Sequence, residues 1–171
     1  MKYIMETERL YLRELKRNDA AELADILCDP DAMRYYPGPF SIEQVRNWIQ
    51  WNIDNYERYH HGLWAVILKK GEIFIGDCGI TIQEIEGEKL PELGYHIKKE
   101  HCNRGYATEA AKACIRYAFS KFKYDELYTY TRYDNIPSIK VAEKNGMQFV
   151  KYFKKSVMGV DVKEALYRIH R

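Results

Sequence analysis

The chain has 171 residues, of which 46% are hydrophobic and 30% charged. This composition is that of a folded globular protein, and it excludes a disordered, collagen-like or coiled-coil chain. The length predicts one domain over residues 1–171. Lys and Arg number 27 against 25 Asp and Glu, and the resulting charge of +2 is too small to predict a nucleic-acid partner.

No targeting or membrane signal stands out in the sequence. The N-terminal segment up to Arg13 is charged throughout, and no apolar stretch approaches the roughly 20 residues of a membrane helix. Cys28, Cys78, Cys102 and Cys114 lie far apart without a CxxC pair, a pattern that fits reduced thiols and argues against a zinc knuckle. We therefore expect a cytoplasmic protein with no metal, no disulfide and no membrane partner.

The first half of the chain predicts one strand, two helices and three further strands. Asn18-Asp19 is a typical cap for the first helix, and Ser41 with Gln44 forms a capping box for the second. A change from helical to alternating periodicity then indicates adjacent strands. The expected elements are a strand over 8–13, a helix from Asp19 to Asp29, a helix from Ser41 to His61, and strands over 63–68, 73–82 and 90–98.

The second half alternates between helices and strands. A stripe of small residues on the first helix, beginning at Ala107, favours close packing against a sheet. The expected elements are a helix over 105–122, a strand over 126–132, a short helix over 137–145, and strands over 147–153 and 157–167. This order predicts an α+β (mixed α/β) fold, in which helices pack on a mixed sheet.

The segment Glu92–Ala111 gives the clearest indication of a functional site. A strand leads into a short loop, and the loop opens a long helix at Gly105. A helix start leaves backbone N–H groups unpaired and bears the positive end of the helix dipole, so it stabilises a phosphate. Lys98, Lys99 and Arg104 would add positive charge around the loop. The helix start and these side chains together predict a site that binds a diphosphate. The alternative is that Gly105 only permits a tight turn beside a solvated lysine surface.

The same loop resembles a family signature. Cys102–Ala107 falls on the [QR]-x-x-G-x-[GA] pattern of the GNAT superfamily of N-acetyltransferases. Gly105–Ala110 resembles the GYATEA run of the branch related to the ribosomal-protein alanine N-acetyltransferases (RimJ/RimL-like). Further similar segments follow in the same order as in the family: ERLYLR at 8–13, Trp64, Ile75-Gly76, Asn135-x-x-Ser138, and EKNGM at 143–147.

The resemblance implies the GNAT fold, a central mixed and mostly antiparallel sheet of about seven strands with about four flanking helices. It also implies direct transfer of an acetyl group from acetyl-CoA to a primary amine, which could be a protein N-terminus, an amino acid or a small amine. Relatives are often homodimers. The cofactor-binding residues that it implies are Tyr95, His96, Ile97, Asn103, Arg104, Gly105, Tyr106, Ala107, Thr108, Asn135, Ser138 and Lys144.

Five positions depart from the family pattern. Cys102 replaces the usual Gln or Arg, and Asn103 stands where Gly is common, although Asn also tolerates a positive φ. In the run that resembles EKLGF, Asn145 and Met147 replace Leu and Phe. Ala142 occupies the position of the Tyr that serves as general acid in many relatives, so that particular acid is absent.

Two residues are candidates for the catalytic groups. Glu92 is the favoured base by analogy, the alternative being a strand-edge carboxylate that faces water; His96, on the same strand, could serve instead. Ser138 is the candidate acid or orienting donor, the alternative being a simple helix cap. Asn135 would bond the pantetheine amides, or act as a turn former before Pro137.

The acceptor is expected over the N-terminal helices. Tyr35, Tyr36 and Phe40 are the predicted substrate-binding residues, within an aromatic wall to which Trp48, Trp51 and Tyr56 would also belong. Lys140 and Lys144 would contact the ribose 3′-phosphate. The alternative function is a sensor module that binds an acyl-CoA without turnover, because the tyrosine acid is missing and the base is unproven.

Overall fold

The computed structural model describes residues 2–171, which form eight strands and four α-helices. Helix α3 continues as a π-helical turn over Ala118–Phe122. Along the chain the elements are β1 (Met5–Glu6), β2 (Leu10–Glu14), α1 (Ala20–Leu27), α2 (Ile42–Tyr59), β3 (Leu63–Leu68), β4 (Ile73–Ile85), β5 (Glu88–Ile97), α3 (Tyr106–Tyr117), β6 (Glu126–Arg132), α4 (Ile136–Lys144), β7 (Gln148–Val157) and β8 (Val160–His170).

All eight strands belong to one mixed sheet in the order β1-β2-β3-β4-β5-β6-β8-β7. Neighbouring strands are antiparallel except for β5 and β6, which are parallel. The predicted mostly antiparallel sheet and the four helices are confirmed. The sheet has one strand more than the expected seven because β1 is two residues long, too short for alternation to reveal it.

Helices cover the two faces of the sheet. On one face α1 and α2 bury a cluster that includes Leu23, Ile49 and Phe74. On the other face α3 lays its small residues, such as Ala111 and Cys114, directly on the sheet, as their spacing predicts. Small side chains let a helix axis approach a sheet closely, so α3 is held firmly where its N-terminus meets the end of β5.

The sheet opens between β5 and β6. Within the described residues, the register joins these strands only at Glu92 opposite Tyr128. One position further, the Thr129 hydroxyl donates to the Leu93 carbonyl at 2.8 Å. The strands then separate, and the segment Gly94–Ile97 borders an opening inside the sheet. Strand edges carry backbone donors and acceptors that a ligand can pair with.

Candidate active site

The loop between β5 and α3 has the geometry of an anion site. Asn103 and Gly105 both take positive φ, 59° and 80°, as expected for Asn103 from its residue type. Gly105 is the N-cap of α3, and the Glu109 N–H donates to its carbonyl at 3.0 Å. The amides before Glu109 have no intrahelical acceptor, because a helix leaves its first four amide groups unpaired. The loop therefore presents bare, exposed backbone donors to solvent.

The positive charge around this loop differs from the prediction. Lys98 is buried and forms ion pairs with Glu22 and Asp25 of α1, the latter at 2.9 Å, and Lys99 pairs with Asp31. These lysines hold α1 and the following segment on the end of β5, so the expectation that they surround the loop as phosphate ligands is wrong.

Other cations face the start of α3. A cavity of about 410 Å³ lies beside Gly105 and Thr108, and Lys112, Arg116 and Lys144 are among its lining residues. Thr108, Lys112 and Arg116 recur every four residues and so occupy one face of α3. Lys144, predicted to contact a phosphate, thus shares this cavity with two cationic side chains that the prediction missed and with the carboxylates of Glu8 and Glu109.

Glu109 fixes the loop to the N-terminal hairpin. It accepts the Thr7 hydroxyl at 2.7 Å, the Arg9 N–H at 2.9 Å and the Arg9 Nε at 2.6 Å. Arg9 also donates to the Arg104 carbonyl at 3.0 Å, and its guanidinium lies 4.5 Å over the Tyr106 ring. Desolvation would raise the pKa of Glu109, but these hydrogen bonds outweigh it and the net shift is downward.

We expect Glu109→Ala to lower the free energy of unfolding by about 2 kcal/mol, because three hydrogen bonds to one ionised group are lost. Urea denaturation measures the change. Glu57→Ala, an exposed position on α2, is the control and should change stability by less than about 0.5 kcal/mol. Equal stabilities for the two variants would contradict the role given to Glu109.

Glu92 lies at the vertex of the opening and is buried, with 8% exposed. The alternative that it is a carboxylate facing water is therefore wrong. Burial raises the pKa of Glu92 to about 8, against the lowering effect of hydrogen bonds from the Tyr130 backbone and the Thr81 hydroxyl, the latter at 3.5 Å. A carboxylate with such a pKa suits proton transfer to or from an amine.

A second buried carboxylate, Glu164 of β8, shares this region. Its Oε2 atom is buried without a hydrogen-bond partner within the described residues, and burial raises the pKa of Glu164 to about 7. Each carboxylate is expensive to ionise here, since the charge of Glu164 also raises the pKa of Glu92. The prediction did not include Glu164, because the alternation of polar and apolar residues in its strand gave no indication that this side chain is buried.

Ser138 and Tyr95 meet where α4 begins. The Ser138 hydroxyl donates to the Tyr95 oxygen at 3.2 Å, and the Tyr95 hydroxyl donates to the Ser138 carbonyl at 2.8 Å. Asn135 is the N-cap of α4 and accepts the Ser138 N–H at 3.3 Å. The alternative of Ser138 as the cap is therefore wrong. Ala142, which stands where many relatives have the tyrosine acid, is buried.

Three polar side chains form a hydrogen-bonded chain on the face of β5 that carries Glu92. Asp77 of β4 lies directly opposite His96 of β5, and its Oδ1 accepts His96 Nδ1 at 2.8 Å. His96 Nε2 is 2.9 Å from the Tyr36 hydroxyl. Trp48 Nε1 donates to the other Asp77 oxygen at 3.4 Å. We call Asp77, His96 and Tyr36 the relay chain.

The predicted aromatic wall is only partly assembled. Phe40 and Trp51 pack against Trp48, at ring distances of 5.8 and 5.3 Å. Tyr36 joins them through His96, whose ring lies 6.3 Å from that of Trp48. Tyr35 lies apart, between the guanidinium groups of Arg34 and Arg132.

Tyr56 does not belong to this wall. Its hydroxyl binds the Leu15 N–H at 3.0 Å and the Leu63 carbonyl, which fixes the C-terminal end of α2 to the sheet. The spacing of aromatic residues along α2 grouped Tyr56 with the residues of the wall, because the sequence does not reveal which face of the helix points towards the acceptor side.

The remaining predicted cofactor residues fall on two sides of the opening. Tyr95, His96 and Ile97 form the last part of β5, and the loop and first turn of α3 follow directly after it. Ala107 and Thr108 are half-buried in that first turn.

Within residues 2–171, no group of three or more His, Cys, Asp or Glu side chains is placed to hold a metal ion. None of the described helices is long and apolar enough to cross a membrane.

The chain belongs to the GNAT acetyltransferase family, since a family model described as Acetyltransferase (GNAT) domain matches residues 9–148. Its relatives include the Bacillus subtilis (strain 168) protein described as uncharacterized protein YkkB, 39% identical over 150 residues that cover 87% of each chain. Another B. subtilis relative is described as uncharacterized N-acetyltransferase YnaD, 31% identical over 88% of this chain and 86% of that protein.

Solved structures share the fold. A GNAT-family acetyltransferase from Bacillus anthracis superposes with a TM-score of 0.81 at 30% identity and covers 97% of both chains. RimL, a ribosomal L7/L12 alpha-N-protein acetyltransferase solved with coenzyme A, has a TM-score of 0.80 at 17% identity over 99% of this chain and 98% of that one. At that identity the second likeness concerns the fold alone.

Proposed function

We propose that the protein transfers the acetyl group of acetyl-CoA directly to a primary amine, either a protein or peptide N-terminus, an amino acid or another small amine. The observation that carries this proposal is the opening between β5 and β6, with buried Glu92 at its vertex and the exposed start of α3 at its open end. No covalent enzyme intermediate is required when both substrates meet in one cleft.

The residues present fit coenzyme A in two respects. The bare loop amides around Gly105 suit a pyrophosphate. Three cations, Lys112, Arg116 and Lys144, outnumber two carboxylates in the lining of the neighbouring cavity, which suits a further phosphate. The unpaired strand edge Gly94–Ile97 would pair with the amides of the extended pantetheine arm of the coenzyme. One backbone N–H group of this edge would stabilise the thioester oxygen as that oxygen gains charge.

Glu92 is the proposed base and Ser138 the proposed orienting donor. A raised pKa lets Glu92 compete with an amine for a proton near neutral pH. The Ser138 hydroxyl donates its single hydrogen to Tyr95, so it acts as a donor to the coenzyme only by turning that hydrogen towards the opening. Acetyl-CoA, when bound, supplies an activated acyl group on sulfur. We further propose Tyr36 and Phe40 as walls of the acceptor site and Tyr35 as a residue at its margin.

The test is to incubate the protein with acetyl-CoA and a panel of amines while free thiol is followed. The panel contains peptides with different N-terminal residues, single amino acids, and mono- and diamines. We expect acceptor-dependent thiol release and an acetylated product by mass spectrometry. Binding of coenzyme A by calorimetry without turnover on any amine would favour a sensor module instead, and no binding at all would overturn both proposals.

A further inference from the structure

The relay chain crosses from the buried interior to the cleft. Asp77 is fully buried at 0% exposed, His96 is half-buried, and Tyr36 is 38% exposed. A carboxylate, an imidazole and a hydroxyl in this order form the arrangement that activates hydroxyl groups in hydrolases, where the acid fixes the tautomer and orientation of the imidazole. The exposed end of the chain is a tyrosine hydroxyl on the acceptor side of the sheet.

The hydrogen bonds fix how protons are distributed in the relay chain. Because the Asp77 carboxylate is an acceptor only, His96 Nδ1 must carry a hydrogen, and neutral His96 therefore offers Nε2 as an acceptor to the Tyr36 hydroxyl. Burial lowers the pKa of His96, but the charge and hydrogen bond of Asp77 outweigh it and the net shift is upward. His96 is thus a poised proton acceptor.

Glu92 and His96 flank Gly94 on β5. They lie four residues apart on one face of β5, about 13 Å along the strand, with Gly94 midway between them. A Cβ at Gly94 would lie 3.3 Å from the Leu63 side chain and 3.4 Å from the Glu92 carboxylate, so a larger residue would crowd both. An amine that enters the opening where β5 and β6 separate would have the Glu92 carboxylate on one side and the relay chain on the other.

Acetyl transfer to an ammonium group removes two protons from one nitrogen. We propose that Glu92 takes the first of these protons and that the relay chain takes the second, with Tyr36 as the group that touches the acceptor nitrogen. This inference rests on the proposed function and adds a second proton acceptor to it. In this account Tyr36 and His96 are catalytic residues and Asp77 is a positioning residue.

The step balances as follows. The ammonium gives one proton to Glu92, and the neutral amine then forms a bond to the acetyl carbon while the carbon–sulfur bond breaks. The nitrogen passes its second proton to the Tyr36 oxygen as the Tyr36 proton moves to His96 Nε2. The imidazolium is held beside the Asp77 carboxylate. The thiolate gains one proton, and a second proton is released to solvent when both acceptors return to their starting states.

Several other groups face the relay chain. Glu92 and Tyr95 of β5 and Glu164 of β8 lie near enough to raise the pKa of Tyr36 by their charge, together with Asp77 and the desolvation of the cleft. Trp48 of α2 contributes a neutral N–H to Asp77. No cation faces Tyr36 among the groups that shift its pKa, so the phenol stays protonated and His96 is the group in the relay chain that changes charge.

The test uses Asp77→Asn, Tyr36→Phe and the double variant, with kcat measured at saturating acetyl-CoA. Each single variant should lower kcat about 100-fold, in the range of a general base, with the KM for acetyl-CoA unchanged. The double variant should be no slower than the slower single variant, because residues that act as a unit are not additive. Asp54→Asn and Tyr152→Phe, both at exposed positions, are the matched controls and should keep full activity.

A spectroscopic readout separates this role from a structural one. In ¹⁵N spectra of the full chain, His96 should carry its hydrogen on Nδ1 in the wild type and on Nε2 in Asp77→Asn, since an amide can donate to Nδ1. Full kcat in both single variants, or additive losses in the double variant, would overturn the relay chain while acetyl transfer by the wild type still stands. Absence of acetyl transfer by the wild type would instead refute the proposed function.

Discussion

A Gly105→Asp variant is expected to bind coenzyme A about 100-fold more weakly than the wild type, because like charges brought together in a binding site cost several kcal/mol. Gly105 is the N-cap of α3, and a Cβ there would lie 3.4 Å from the Arg9 guanidinium. An acidic side chain at an N-cap accepts hydrogen bonds from the first amides of the helix, which are then unavailable to a phosphate. It would also cancel the positive end of the helix that stabilises a phosphate. Isothermal calorimetry with coenzyme A measures the loss.

Backbone strain must be separated from charge in this experiment. Gly105 has a φ of +80°, so any side chain is strained there. Gly87, in the turn between β4 and β5, has a φ of +85° and open space around its Cβ position, so Gly87→Asp carries the same strain away from the site. We expect it to bind coenzyme A normally. Wild-type affinity in Gly105→Asp would mean that the start of α3 is not the phosphate site.

A Glu92→Gln variant is expected to lose about 100-fold or more in kcat and yet to be more stable than the wild type. A general base contributes roughly 10² to 10⁴ in rate, and glutamine cannot accept the proton. With a pKa of about 8, Glu92 becomes a base as the pH rises through that value, so wild-type kcat should rise about tenfold between pH 7 and pH 9. This component of the rise should be missing in Glu92→Gln.

The stability of the same variant follows from the direction of the pKa shift. Unfolding returns the pKa of Glu92 from about 8 to 4.5, so the folded state holds a proton that the unfolded state releases, and stability falls as the pH rises between these values. A neutral amide removes that dependence, and we expect a gain of about 4 kcal/mol at pH 8. Thermal unfolding measures it, with Glu88→Gln at an exposed position of β5 as the control. Full activity in Glu92→Gln would remove this residue from the mechanism.

Sequence patterns were sufficient wherever the cause was local. The Ser41 capping box, the positive φ of Asn103 and the small-residue face of α3 depend on residues close in the chain, and all three are present in the structure. Strands β4 and β5 extend beyond their predicted ends because the turn needs only Glu86 and Gly87, both with positive φ. The polar residues around Glu86 and Gly87 gave no indication that the hydrogen bonding between β4 and β5 continues so close to the turn.

Features that depend on distant residues were not predictable from the sequence. Lys98 looked like a phosphate ligand because its partners Glu22 and Asp25 are more than 70 residues away. Asp77 was missed although it is the one charged residue in the stretch 73–80 of β4, a signal for a buried charge with a dedicated partner. Its pairing with His96 depends on the register of β4 and β5, which no local pattern specifies.

The single backbone pairing between β5 and β6 divides the sheet into two wings. A small rotation of one wing against the other breaks few hydrogen bonds, so the cleft width is governed by side chains such as Thr129, Tyr95 and Ser138 that bridge the gap. An extended ligand along β5 would add contacts that connect the two parts of the sheet. We therefore expect a ligand in the cleft to make the whole sheet more rigid.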